Sequence, residues 1–188
     1  MSQKAGALLE NLKSKLPVFI SRGDGLTRLT CSEEMEIPIT SQRKILEDIT
    51  FYGSYNGQTL ESFLKTTDKI KRIKEMDTGE SEMCCWFIFK REPWFKKMYI
   101  EQVDRLLMKD PEIFLQSMGY TEVEAPEKGD IVVYLFSGNY EGRVGHYGKY
   151  IGKGKVRSKF GKTHVYEHDI AFVLASYGDR ARFFHKSS

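Results

Sequence analysis

One segment limits the fold more than any other: GDIVVYLFSGNYEGRVGHYGKYIGKGKVRSKFG, residues 129–161, reads as three consecutive strands with glycine-bearing connections. Ile131 to Phe136 is an unbroken apolar run entered through Pro126-Glu-Lys-Gly129, the pattern of a buried strand and not of an amphipathic helix. Gly142 to Ile151 is the second run, closed by the hairpin signal Gly152-Lys-Gly154, and Lys155 to Phe160 returns as the third. Strict alternation along the second run predicts Val144, His146, Gly148 and Tyr150 on one face and Tyr147, Lys149 and Ile151 on the other. The glycines around His146 predict open space beside its ring for a reacting group or a close-packed helix.

The preceding residues carry helical spacing. Helices are expected over Ala5–Leu16, over Ser41–Ile49 with Ser41 as cap, and from Leu60 to about Met76 with Leu60, Phe63, Leu64, Ile70 and Ile73 on one face. Cys84-Cys-Trp-Phe-Ile-Phe89 reads as the opening of a buried helix, with a short strand as competitor. Trp94 to Met108 follows as another helical pattern. Asp110-Pro111-Glu112 then starts a further helix that Gly119 stops. Helices followed by a compact antiparallel sheet make the fold class α+β, with residues 1–80 as a helical N-terminal elaboration and 81–188 as the core.

Composition excludes several classes of protein. A chain of 188 residues with formal net charge +3 is long enough for a full core, and its charge is too small to point to nucleic acid. No stretch approaches the roughly 18 apolar residues of a membrane span. The opening MSQKAGALLENLKSKL lacks the apolar centre of a secretory signal, so the expected location is the cytoplasm, or a site reached by another export route. Three cysteines, Cys31 and the adjacent Cys84 and Cys85, are not a disulfide framework. The pair also lacks the spacing of common zinc sites, and no metal or cofactor is expected. Lys149, Lys153, Lys155, Arg157, Lys159 and Lys162 cluster late in the chain, which reads first as a solvated sheet face.

A thiol at a helix start and an imidazole on a later strand can serve as nucleophile and base. These motifs, in this order, resemble the papain-like superfamily. Within it they are similar to the NlpC-type cell-wall peptidases and their uncharacterised bacterial relatives: Cys84-Cys-Trp-Phe-Ile, then Gly129-Asp-Ile-Val-Val-Tyr, then His146-Tyr-Gly-Lys-Tyr-Ile-Gly-Lys-Gly-Lys-Val. The resemblance covers roughly the last hundred residues. It implies a papain-like core with N-terminal helices on a small antiparallel sheet, acting as a thiol hydrolase or acyl transferase on an amide bond, of peptidase, amidase or deamidase type.

In that reading Cys84 is the preferred nucleophile, with Cys85 as the other candidate, and His146 is the base. Ser158 occupies the place where such peptidases carry a polar orienting residue. A second likeness, to bacterial proteins with a Ser-Lys-aromatic-Gly strand, a later histidine and a terminal Tyr-Gly, matches Ser158-Lys-Phe-Gly, His168 and Tyr177-Gly178. It makes Glu167 or His168 an alternative third group. His164 and His185 read as surface residues. The competing class is a non-catalytic module, SH3-like or degenerate papain-like, holding a peptide or nucleic acid through exposed aromatics such as Tyr140, Tyr147 and Tyr150.

Overall fold

The computed structural model describes residues 35–74, 84–93, 95, 111–140, 142–160 and 164–187. The helix expected over Ala5–Leu16, most of that expected from Trp94, and Cys31 lie outside them. Strands β1 (Met35–Glu36), β4 (Ile70–Lys74), β5 (Tyr120–Val123), β6 (Ile131–Leu135), β7 (Val144–Gly152), β8 (Lys155–Lys159), β9 (Val165–Asp169) and β10 (Arg180–Lys186) form one antiparallel sheet. Its order is β1-β10-β6-β7-β8-β9-β4, with β5 pairing β10. Among the described residues the path is open and not closed into an SH3-like barrel, and the fold is mixed helix and antiparallel sheet.

Residues 35–74 belong to this sheet directly, because β1 and β4 form its two edges. They also supply helices α1 (Ser41–Tyr52) and α2 (Leu60–Leu64), joined through the small hairpin of β2 (Ser54–Tyr55) and β3 (Gln58–Thr59). Thr40, one residue before the expected cap, accepts from Arg43 N–H through its side chain, and left-handed Gly53 (φ 85°) ends α1. The helix expected from Leu60 to Met76 stops after one turn. Thr66 Oγ1 donates to Phe63 O and Thr67 Oγ1 accepts from Lys69 N–H, so the chain turns and Ile70 enters a strand paired to β9.

Helices α3 (Cys84–Phe89) and α4 (Pro111–Ser117) follow their signals, and α3 settles the helix-or-strand ambiguity at the cysteine pair. Gly119 closes α4 at φ 84°. The β7–β8 hairpin places Lys153 and Gly154 at φ 54° and 69°, the double left-handed turn that matches strand twist. The Gly-Asp entry to β6 has a mechanical reason. Asp130 Oδ2 accepts from Glu127 N–H at 2.7 Å and Oδ1 accepts from His185 Nδ1 at 2.8 Å, closing the preceding turn onto β10.

The sheet is covered on both sides. Val132, Tyr134, Val156, Tyr166 and Phe183 point to the side packed by Leu46 and Ile49 of α1. Ile131, Val133, Leu135, Tyr147 and Phe184 point to the side packed by Cys85 and Phe89 of α3 and by Phe114 and Leu115 of α4. A strand such as β6, apolar at every position, is what a sheet with two covered faces requires.

Candidate functional site

On the α1 side of the sheet, three buried polar side chains from successive strands share one layer: His146 on β7, Ser158 on β8 and His168 on β9, all fully buried. His168 Nδ1 lies 2.8 Å from Asp169 O, so this nitrogen carries the proton. Nε2, 2.9 Å from Ser158 Oγ, accepts from the hydroxyl. Burial lowers the His168 pKa to about 4, against the opposing influence of its bond to the Asp169 carbonyl. Ser158 therefore orients His168, and His168 is a neutral, satisfied histidine.

His146 is neutral for the same first reason, burial, with His168 as the second influence, and its pKa lies well below the usual histidine range. Its ring stacks on Tyr177 at 4.1 Å and 15°, meets the edge of Phe160 at 5.7 Å, and lies 5.8 Å from Tyr134. Among the described residues neither of its ring nitrogens has a hydrogen-bond partner. A buried polar group in that condition costs about 1–3 kcal/mol.

Tyr177 reaches this position through a network with no sequence signal. Arg43 of α1 is fully buried and donates from Nε to Val173 O (2.7 Å), from Nη1 to Ile37 O (3.1 Å) and Pro38 O (2.9 Å), and from Nη2 to Leu174 O (3.0 Å) and Gly178 O (2.6 Å). The guanidinium thereby pins the 3₁₀ turn Ala175–Tyr177 over β7. Desolvation lowers its pKa, an effect that Tyr134, Asp179 and Glu47 oppose.

His146 takes its face from its pairing with Tyr134, and a bulge just before it re-aims Val144. Leu135 pairs with Val144 and Tyr134 with His146, leaving Gly145 as an extra residue on β7. His146, Gly148 and Tyr150 keep their predicted common face, and the bulge turns Val144 away from it to the α3 side. Past the bulge, Tyr147 and Lys149 take the expected face. The expected open space beside His146 is filled. A Cβ at Gly145 would stand 2.2 Å from Tyr177 O, and one at Gly148 would stand 2.3 Å from Val156 Cγ1.

The cysteine pair lies on the other side. Helix α3 packs across β7 and β8, with Cys85 buried beside Phe89 and Tyr147 and Cys84 half-buried at the first helical position. Tyr147 is pushed well above the ordinary phenol range by burial first and by the two thiols next. Neighbouring residues His146 and Tyr147 thus point to opposite faces, and the thiols accompany Tyr147. The expected Cys84–His146 pairing is not assembled, because the sheet lies between the two side chains.

Glu167 also departs from its expected role. It points to the face opposite His168 and holds Arg157 of β8, whose Nε donates to Oε1 at 3.1 Å. It therefore orients neither histidine. Tyr147, offered as an exposed binding aromatic, is fully buried, while Tyr150 is half-buried and accepts from Gly154 N–H through its hydroxyl. Of the residues selected from sequence, the fold brings together His146, Ser158 and His168, and separates Cys84, Cys85 and Glu167 from them.

Among the described residues no three His, Cys, Asp or Glu side chains are placed to hold a metal ion, and no helix is long and apolar enough to cross a membrane. Comparison with protein-family models, curated proteins and solved structures finds no match to this chain, so any functional reading rests on the residues and geometry above.

Proposed function

We propose that this chain is a non-catalytic peptide-binding module built on a papain-like scaffold whose cysteine–histidine pair is not assembled. The observation that carries this reading is the register of β7 on β6, which pairs His146 with Tyr134 and seats it in an aromatic layer on the face away from α3. A thiolate–imidazolium pair needs heavy atoms within hydrogen-bond reach. Burial also keeps His146 neutral, so it offers no positive charge to a thiolate. The test is the pH dependence of Cys84 alkylation in the wild type and in His146→Phe. Superimposable profiles are expected; a His146-dependent limb near neutral pH overturns the reading.

A thiol hydrolase or acyl transferase acting on an amide is the second reading. It is favoured by one feature, the half-buried Cys84 at the first position of a helix lying across the strand that carries His146. In a regular strand His146 would share the α3-side face of Val144, so moving the bulge past His146 would bring the imidazole round. Cys84-dependent turnover of an activated amide, lost in both Cys84→Ala and His146→Phe, is the result that selects it.

A further inference from the structure

A cleft of about 540 Å³ opens at the C-terminal end of α3, between that helix and the outer faces of β7 and β8. Five cationic side chains line it: Lys90 and Arg91 following α3, Lys128 from the turn before β6, Lys149 on β7 and Arg157 on β8. They come from four separate parts of the chain, so only the fold gathers them. Among the described residues no carboxylate pairs with Arg91, Lys128 or Lys149, whereas Arg157 is held by Glu167. Arg91, Lys128 and Lys149, gathered in one cleft, repel one another, and an anionic ligand relieves that repulsion.

The rest of the lining narrows the ligand. Phe87, Ile88 and Ile151 add apolar surface to the same lining. Gly129 N–H is occupied by Tyr150 O at 2.9 Å and does not form part of a backbone phosphate cradle. The volume lies within the roughly 300–1,000 Å³ of ordinary ligand pockets, enough for a few side chains. Cations together with apolar surface complement a chain that carries both carboxylate and aliphatic groups.

We infer that this cleft is the binding site for an acidic, amphipathic peptide segment, with Arg91, Lys128 and Lys149 meeting its carboxylates and Phe87, Ile88 and Ile151 its aliphatic side chains. The inference rests on the peptide-binding reading above and names the site and chemistry of that binding. Cys84 does not line the cleft, so binding here is separable from any reaction of the thiol.

The experiment uses the full chain and fluorescence anisotropy with three labelled probes: a short peptide alternating Glu and Leu, its Gln–Leu counterpart, and an oligothymidylate. The Glu–Leu peptide is expected to bind with an affinity that falls as salt rises, and the Gln–Leu peptide at least about tenfold more weakly. Lys149→Glu and Arg91→Glu should each weaken the Glu–Leu peptide by about tenfold with unchanged melting temperature, because both side chains are exposed. Lys153→Glu, in the hairpin beyond the cleft, is the control and should retain binding.

Absent binding, equal binding of the Glu and Gln peptides, or indifference to both reversals overturns the inference, as does tighter binding of the oligothymidylate through the same residues. Failure of the parent reading gives a different signature. A Glu–Leu peptide that binds and is cleaved, with cleavage lost in Cys84→Ala and binding retained, removes the non-catalytic reading and leaves the cleft assignment standing.

Discussion

His146 and Tyr177 lie ring on ring, 4.1 Å apart and 15° from parallel, although they come from a central strand and from the turn leading into the last strand. This stack fills the α1 side of β7. It accounts for the burial of a histidine whose nitrogens find no hydrogen-bond partner among the described residues.

Truncating His146 removes the stack, whereas replacing it by another ring keeps the stack and deletes the orphaned nitrogens. His146→Ala should cost about 2–4 kcal/mol, in the range of large-to-small core changes. His146→Phe should cost clearly less, because removing an unsatisfied polar group offsets part of any overpacking. Urea denaturation of the three proteins checks the order, and a greater loss for phenylalanine than for alanine would show that the imidazole nitrogens have a partner.

Acid should destabilise the fold through the two buried histidines. Both pKa values are lower in the folded chain, so below the unfolded value of about 6.5 the unfolded chain binds protons that the folded chain does not. Stability from this source is complete above about 6.5 and falls as the pH drops toward the folded value, about 4 for His168. Each histidine contributes a slope of up to about 1.4 kcal/mol per pH unit in its window. Urea midpoints measured from pH 7 to pH 4.5 should fall, and His146→Phe should show a shallower decline.

Two glycine substitutions separate close approach from backbone conformation. Gly145→Ala drives a methyl group against the Tyr177 carbonyl, a backbone atom that cannot rotate away, and should cost about 3 kcal/mol or more. Gly142→Ala meets nothing within 4 Å but sits at φ 79°, and should cost only about 1 kcal/mol. Equal thermal shifts for the two variants would place the bulge elsewhere.

Arg43→Lys keeps the charge but replaces a planar five-donor fork by a compact ammonium, leaving several of the five carbonyls unsatisfied. A loss of about 3 kcal/mol or more is expected. Hydrogen exchange at Tyr177 N–H, which donates to Leu174 O, should accelerate as the turn loosens. Wild-type exchange there in the variant would mean that the turn holds without the guanidinium.

By itself the sequence determined several local elements, though not the strands β4, β5, β9 and β10. Ile131–Leu135, the glycine hairpin after β7, the proline-started α4 and the cysteine helix are all legible because apolar period, turn chemistry and caps act over a few residues. It also marked His146 and Ser158 as polar groups in strands and, through a family likeness, singled out His168, and the fold does gather them. Tertiary structure alone decided what they face. A single inserted residue reverses side-chain direction in a strand, and the strand pattern around Gly145 reads equally well with or without that insertion. The close approach of Gly145 to the turn that Arg43 holds rests on contacts between residues more than a hundred positions apart, which no local pattern encodes. For the same reason the sequence pattern suggested Cys84 and His146 as partners, while the sheet places them on opposite sides.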